Sequence, residues 1–263
     1  MELNLIGKTA LITGSSKGIG KAIAKELANT GVNVLINGKN YDEVESVVME
    51  IQRKYPNTKP QNAAGDLLNA EQRQNLLGKF SRVDLLINNL GIYEMMKMSD
   101  VTNDILLKYI ETNALVGHYL AQHYLPSMQK QNFGRIVFIA SEEAVMPSGM
   151  MPQYSISKTM LLAIVKNFSM ETVGLDVTVN TVMPGPTLTE KVIDIIDTMI
   201  KEELPFIEKE KIFMQQNLPQ SQLQRFIRPE EIARLVSFMC SPDATAFRGS
   251  PIRMDGGMVP TIY

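Results

Sequence analysis

A glycine-rich turn near the start of the chain, between an apolar run and an amphipathic helix, is the feature that most constrains the fold. Residues 9–13 are apolar and β-favouring, and Gly14, Gly18 and Gly20 follow them. Apolar side chains then recur at helical spacing, at Ile19, Ala22, Ile23 and Leu27. Glycines let the backbone turn sharply and bring its amides close to a phosphate group at the positive end of the helix. The sequence therefore predicts a strand, a tight turn and a helix.

The same alternation continues along the chain. A second amphipathic helix is predicted at residues 41–55, and further apolar runs lie at residues 32–36, 83–87, 135–140 and 177–182. After the first strand–helix–strand unit, each of these runs is separated from the next by enough residues for a helical crossover between parallel strands. No linker rich in Pro, Gly or Ser interrupts the pattern. We therefore expect one α/β domain over residues 1–263, with a parallel sheet covered on both faces.

Composition excludes several classes of function. The chain has 26 basic and 28 acidic residues, a formal charge of −2, which gives no electrostatic footprint for nucleic acid. Cys240 is the only cysteine, and His118 and His123 are too few to build a convincing zinc site with it. We expect no metal. No apolar run approaches the ~18 residues of a membrane span, and no signal peptide is evident, so we expect a soluble cytoplasmic protein with no membrane partner.

Tyr154 and Lys158 are separated by one helical turn and form a candidate acid/base pair. A hydride cannot leave an alcohol carbon unless the hydroxyl proton also leaves, so such a site needs a proton acceptor near that oxygen. The ordinary pKa of tyrosine, near 10, is too high for this role, but the charge of Lys158 favours the phenolate. Ser141 ends a predicted strand and can hydrogen-bond a substrate oxygen. A surface Tyr/Lys pair and a helix-capping Ser are the alternative interpretations.

The end of the second predicted strand indicates which nucleotide would bind. Folds that bind NAD place an acidic side chain about 20 residues after the glycine-rich turn, whereas this chain has Asn37, Gly38, Lys39 and Asn40 there. Lys39, together with Lys17 in the turn, offers ammonium groups to the 2′-phosphate of NADP. We therefore expect NADP(H), with NAD(H) as the alternative. Both lysines could instead be ordinary solvated surface charges.

With these residues in view, the chain resembles the short-chain dehydrogenase/reductase family, of the 3-oxoacyl-ACP-reductase-like kind, over essentially its whole length. Residues 13–20 (TGSSKGIG) fit the family's TGxxxGxG, and residues 88–91 (NNLG) fit its NNAG, with Leu90 in place of alanine. Tyr154 and Lys158 fit its active-site pair, and the Pro-Gly at residues 184–185 fits the turn after the sixth strand.

The resemblance implies a Rossmann-like doubly wound sheet of about seven strands. The same resemblance implies a homotetramer or homodimer, built from two long helices near residues 102–130 and 152–173 and from the C-terminal segment. It also implies that Asp66 binds adenine, that Asn113 holds a water which relays protons from Lys158, and that Lys158 contacts the nicotinamide ribose. The predicted catalytic residues are Asn113, Ser141, Tyr154 and Lys158. The predicted cofactor contacts are Gly14, Ser16, Lys17, Gly18, Ile19, Gly20, Lys39, Asp66, Leu67, Asn89, Gly91, Tyr154, Lys158, Pro184, Gly185 and Thr187.

The expected substrate is a small carbonyl or alcohol compound. Residues 187–225 are predicted to form a mobile lid, and methionines flank the site at Met95, Met96, Met98, Met146, Met150, Met151 and Met183, either as an adaptable pocket or as core filler. Glu142 and Glu143 follow Ser141; they could repel anions or recognise a cation, or they could be solvated or cap a helix. The rival functions are an NAD-dependent alcohol dehydrogenase and a dinucleotide-sensing protein without catalysis.

Overall fold

A seven-stranded parallel sheet forms the centre of the computed structural model, which describes residues 3–262. The strand order is β3-β2-β1-β4-β5-β6-β7, and every pair of neighbouring strands is parallel. The strands are β1 (Thr9–Ile12), β2 (Asn33–Ile36), β3 (Gln61–Asn62), β4 (Leu85–Asn88), β5 (Gly134–Ile139), β6 (Val177–Pro184) and β7 (Pro251–Met254). The order reverses between β1 and β4, the position where open α/β sheets bind ligands beyond the carboxyl ends of their strands.

Helices cover both faces of this sheet, as predicted. They are α1 (Gly18–Asn29), α2 (Tyr41–Lys54), α3 (Ala70–Lys79), α4 (Asn103–Ile110), α5 (Val116–Lys130), α6 (Pro152–Met170), α7 (Glu190–Met199), α8 (Phe206–Asn217) and α9 (Pro229–Cys240). Successive strand residues point to opposite faces, so Ala10 and Ile12 join the core formed with α1, α2 and α9. Leu11, between them, joins the core formed with α3, α5 and α6. The fold is therefore the doubly wound α/β architecture expected from the sequence.

Two local features differ from the sequence-based expectation. The long helix expected near residues 102–130 is interrupted by a π-helical turn, Glu111–Leu115, which separates α4 from α5. β3 has only two residues, too few to show the period-2 pattern by which strands are recognised. A π turn inserts one residue into a helix and leaves little trace in the hydrophobic pattern.

The segment after β6 folds into α7 and α8, but these helices are held to different degrees. Glu210 of α8 is only 2% exposed, and its carboxylate accepts two hydrogen bonds from the guanidinium of Arg228, both at 2.7 Å. It also accepts from the main-chain amide of Phe226 at 2.9 Å. The one ion pair of α7 with another helix among residues 3–262 joins exposed Asp197 to Lys209. α8 is thus fastened by a buried ion pair to the chain before α9, whereas α7 is held by this exposed pair and by the apolar packing of Ile196.

Candidate active site

The glycine-rich turn lies at the carboxyl end of β1 and leads into α1. Gly14 and Gly18 have φ values of +59° and +56°, which side-chain-bearing residues rarely adopt. A Cβ on Gly20 would lie 2.3 Å from the main-chain oxygen of Gly14, so this helix packs directly on the turn. Asn89, after β4, donates its amide to the oxygens of Thr13 and Gly14 at 3.0 and 2.9 Å. The amide of Gly14 donates to Oδ1 of Asn37, after β2, at 3.3 Å, so the turn is fixed from both neighbouring strands.

The first turn of α1 carries no capping side chain. Lys17 stands at the N-cap, and neither it nor any other described side chain caps the helix. A lysine side chain has no acceptor for the helix amides, which are normally satisfied by Ser, Thr, Asp or Asn at this position. Uncapped amides at the positive helix end fit a pyrophosphate group. These residues therefore suit a dinucleotide, as the sequence predicted.

At the end of β2, Lys39 lies beside Asp66, the predicted adenine-binding residue. The Nζ of Lys39 is 2.9 Å from a carboxylate oxygen of Asp66. Burial acts to raise the pKa of Asp66, but the hydrogen bonds from Lys39 and from the main-chain amide of Leu68 outweigh it and lower that pKa. Lys17 is exposed and makes no ion pair with the described residues. Lys39 is thus paired within the protein, while Lys17 is free.

The four predicted catalytic residues converge beyond the ends of β4 and β5. Ser141 lies just after β5, Tyr154 and Lys158 lie on α6, and Asn113 lies in the π-helical turn. The Nζ of Lys158 is 5.5 Å from the ring centroid of Tyr154. A Cβ on Gly91 would lie 3.4 Å from that Nζ and 3.5 Å from Oδ1 of Asn113. Asn113 and Lys158 are therefore brought together beside the loop that follows β4, with Tyr154 next to Lys158.

Asn113 holds the loop that follows β4. Its Oδ1 accepts from the amide of Ile92 at 2.8 Å, and its Nδ2 donates to the oxygen of Ile92 at 3.0 Å and to Oγ of Ser157 at 2.9 Å. The side-chain amide of Asn113 is thus engaged within the protein at both its oxygen and its nitrogen. The predicted role of Asn113 in holding a water stays a prediction.

The surroundings of Tyr154 raise the pKa of its phenol. Burial raises its pKa, and the charges of Glu142 and Glu143 act in the same direction, while a hydrogen bond with Ser141 opposes them. Burial lowers the pKa of Lys158 to about 8. Its ammonium donates to the main-chain oxygen of Ile139 at 2.7 Å. The predicted effect of Lys158 on the phenol is therefore smaller than that of burial.

The two acidic residues after Ser141 have different environments. Glu143 is 5% exposed, and its Oε2 accepts from the amide of Ser148 at 3.1 Å and from the hydroxyl of Ser155. It fixes the loop that leads into α6. Glu142 instead accepts the hydroxyl proton of Ser141 at 2.6 Å. Sequence reasoning singled out both acids but did not find this contact, whose only signal was their adjacency to Ser141.

Tyr93, which the sequence did not single out, joins the site to the segment after β6. Its ring lies edge-on to that of Tyr154, with centroids 6.2 Å apart. The Nζ of Lys191, on α7, lies 4.0 Å from the Tyr93 ring centroid.

Of the seven methionines proposed to flank the site, Met183 is buried in the core, whereas Met95, Met98 and Met150 are exposed. The exposed ones stand on the two loops joined by the hydrogen bond from Met96 N to Met150 O at 2.9 Å.

The remaining predicted cofactor contacts lie in the glycine-rich turn, in α1 and at or beyond the carboxyl ends of β3 and β6. A Cβ on Gly185, directly after β6, would lie 2.5 Å from the oxygen of Asp255, so this turn also requires glycine. The hydroxyl of Thr187 donates to the oxygen of Gly185 at 2.8 Å. Leu67 is buried, whereas Ser16 and Ile19 are half-buried. Pro184 is the last residue of β6.

None of the helices within residues 3–262 is both long enough and apolar enough to cross a membrane. The His, Cys, Asp and Glu side chains of the same residues form no group of three or more that could hold a metal ion.

Comparisons with known proteins agree with this fold and indicate its family. A family model described as short chain dehydrogenase matches residues 8–199. The chain is 44% identical to the uncharacterized oxidoreductase YvaG of Bacillus subtilis, covering 100% of both chains. It is 33% identical to the 3-oxoacyl-[acyl-carrier-protein] reductase FabG of Aquifex aeolicus, covering 98% of this chain and 100% of the relative.

Solved structures with the same fold include two complexes with nicotinamide nucleotides. The L-sorbose reductase from Gluconobacter frateurii, complexed with NADPH and L-sorbose, superposes with a TM-score of 0.91 at 27% identity, over 100% of both chains. A 7α-hydroxysteroid dehydrogenase complexed with NADH and 7-oxo glycochenodeoxycholic acid superposes with a TM-score of 0.83 at 29% identity. That match covers 100% of this chain and 98% of the other.

Proposed function

Because the chain belongs to the short chain dehydrogenase family and is an oxidoreductase of the NAD(P)-dependent kind, we propose that it uses NADP(H) to interconvert a small carbonyl compound and its alcohol. The observation that carries the proposal is the convergence of Ser141, Tyr154 and Lys158 beside the uncapped first turn of α1 and the glycine-rich turn. The nicotinamide, when bound, supplies or accepts the hydride.

Tyr154 acts as the acid in the reducing direction. Its raised pKa keeps the phenol protonated, so that it donates its proton to the carbonyl oxygen as the hydride arrives at the carbon. Ser141 lies next to the same position and stabilises the oxygen as its charge develops. Lys158, with a pKa of about 8, titrates close to neutral pH and replaces the proton that Tyr154 has given. Asn113 positions the loop beside Lys158.

The preference for NADP(H) rests on Lys17 and Lys39. No acid stands at the end of β2, where an NAD-binding chain would place one on the ribose 2′-hydroxyl. A 2′-phosphate near Lys39 would compete with Asp66 for the ammonium, and the released carboxylate of Asp66 would then accept from the adenine. The similar complexes contain NADPH in one case and NADH in the other, so NAD(H) use by the same site is the second candidate.

We further propose that residues 1–263 form one domain in a cytoplasmic homotetramer or homodimer, and that residues after Thr187 close over the substrate. The contact of Lys191 with Tyr93 supports the closure, since it joins α7 to a residue beside Tyr154. A sensing protein without catalysis is the remaining rival, and the convergence of all four catalytic residues argues against it.

Calorimetric titration with NADPH and NADH in parallel tests the proposal, because the chain contains no Trp for a fluorescence measurement. We expect tighter binding of NADPH. Tyr154→Phe should bind NADPH equally well and reduce carbonyl compounds at least about 100-fold more slowly. Binding of neither nucleotide would favour a different function, and full turnover by the variant would remove Tyr154 from the mechanism.

A further inference from the structure

We propose that Glu142 is a specificity-determining residue, which favours carbonyl substrates that carry a hydrogen-bond donor, a hydroxyl or an ammonium group, on the carbon next to the reacting carbonyl. This inference rests on the function proposed above, because it takes Ser141 and Tyr154 to face the reacting oxygen.

The first step concerns the single proton of Ser141. A serine hydroxyl has one donor and two acceptor positions. Its proton is directed to a carboxylate oxygen of Glu142 at 2.6 Å, while Ser141 Oγ accepts from the main-chain amide of Glu143 at 3.2 Å. Ser141 therefore cannot donate to a substrate oxygen as long as an ionised Glu142 holds its proton.

The second step concerns the other partners of the nearby carboxylates. Glu143 is occupied by Ser148 and Ser155, and Asp255 accepts from the amides of Gly257 at 3.2 Å and Val259 at 3.1 Å. Glu142 accepts only from Ser141 and its own main-chain amide, and the ion pairs of residues 3–262 do not include it. Of the three carboxylates, Glu142 is thus the one that contacts the Ser141 hydroxyl, and it has acceptor capacity left for a ligand.

The charge of the Glu142 carboxylate also favours a ligand that carries a donor. Burial raises the pKa of Glu142 to about 7, the hydrogen bond from Ser141 opposes this, and the charges of Glu143 and Asp255 add to it. The Tyr154 phenol also faces this carboxyl, with Tyr93 beyond it. A half-buried carboxylate in such surroundings gains from any new donor, and it disfavours a second anion.

A substrate donor therefore has two effects. Its hydroxyl or ammonium group hydrogen-bonds Glu142, and the proton of Ser141 becomes free to bind the reacting oxygen. A substrate without that donor leaves Ser141 bound to Glu142, unless Glu142 is protonated. A substrate whose donor pairs with this free acceptor position should have a kcat/KM about tenfold to hundredfold higher than a substrate without the donor.

The test compares methyl ketones that differ at the neighbouring carbon. Hydroxyacetone and aminoacetone carry a donor, methoxyacetone carries only an acceptor, and butanone carries neither. We expect the enzyme with NADPH at pH 8 to favour at least one of the first two over methoxyacetone by about tenfold or more, and the ratio between them tells a hydroxyl site from an ammonium site. In Glu142→Gln this preference should fall, whereas the matched exposed control Glu94→Gln should keep it. Equal kcat/KM for all four ketones, or an unchanged preference in Glu142→Gln, would overturn the proposal.

A second measurement does not need turnover. In protein carrying ¹³C at the glutamate Cδ, the Glu142 resonance is identified by its loss in Glu142→Gln and followed with pH. In the complex with NADP⁺, which cannot reduce a ketone, hydroxyacetone or aminoacetone should lower the pKa of Glu142, and butanone should not. A resonance that responds to no ketone refutes the role of Glu142. If Tyr154→Phe loses activity but the wild type shows no preference for ketones with a neighbouring donor, this inference alone is refuted. Failure to bind NADPH refutes the proposed function and this inference with it.

Discussion

The Nζ of Lys39 lies 2.9 Å from the carboxylate of Asp66, so the cation proposed to bind the 2′-phosphate of NADP also holds the acid proposed to bind adenine. Both side chains are partly exposed, and an exposed pair of this kind contributes only about 0–1 kcal/mol. A doubly charged phosphate can therefore displace Asp66 from Lys39 at little cost. Binding of the 2′-phosphate to Lys39 would thus free the carboxylate of Asp66 to bind adenine.

Lys39→Ala should weaken NADPH binding by about tenfold, because a charge-assisted contact to the phosphate is lost. NADH binding should stay the same or improve, since Asp66 is released. Parallel calorimetric titrations measure both. Lys59→Ala, which removes an exposed lysine just before β3, at the opposite end of the strands, should change neither. Unaltered NADPH affinity in Lys39→Ala would remove this residue from the cofactor site.

Gly20→Ala should destabilise the protein and abolish measurable NADPH binding. The added methyl group would lie 2.3 Å from the oxygen of Gly14 and 2.9 Å from Cα of Ser15, so the turn has to move. Gly78→Ala is the matched control, because a Cβ there meets nothing within 4 Å and α3 gains up to about 1 kcal/mol. Thermal unfolding and nucleotide titration compare the two. A Gly20→Ala protein that binds NADPH normally would contradict the assigned geometry.

Lys158→Met should stabilise the protein near pH 7 while it removes activity. Burial lowers the pKa of Lys158 to about 8 from an ordinary value of 10.5, so the unfolded chain binds more protons than the folded one between these pH values. The wild type therefore gains stability as the pH rises from about 8 to about 10.5, and the variant lacks this gain. Urea unfolding at pH 7 and pH 10 should show the advantage of the variant shrinking. An advantage that is the same at both pH values would show that Lys158 is not held as a destabilised ammonium.

Glu210→Gln should cost about 2–3 kcal/mol, because it leaves Arg228 without its charged partner beside a nearly buried site. Asp197→Asn, which breaks an exposed pair with Lys209, should cost less than about 1 kcal/mol. The free energies of unfolding in urea distinguish the two variants.

In the wild type, amide hydrogen exchange should be faster in α7 than in α8. Equal exchange in both helices would indicate that they move together as one lid.

Much of the fold was accessible from the sequence, because its strands are apolar runs with a simple period. The runs at residues 9–13 and 135–140 contain β1 and most of β5, and each strand ends within one residue of the predicted end. Tyr154 and Lys158 were found by their spacing on one helix, a relationship that the sequence shows directly. β3 was not found, since it has only two residues.

Contacts between distant segments were out of reach. The pairing of Lys39 with Asp66 joins the ends of β2 and β3. The contact of Tyr93 with Lys191 joins the loop after β4 to α7, 98 residues further along the chain. Neither contact has a local signature. The direction of the pKa of Tyr154 was also missed, because it depends on burial, which spacing does not reveal.

The π-helical turn at Glu111–Leu115 ties the chemistry of the site to the packing of the core. It holds one residue more than a regular helix would, and removing that residue would rotate everything beyond it by about 100° around the helix axis. Leu120 and Tyr124 of α5, now fully enclosed, would swing out of the core. During evolution Asn113 can therefore be replaced by a single substitution. Deletion of the extra residue of the π-helical turn would instead disrupt the packing of α5, and the fold would be lost with it.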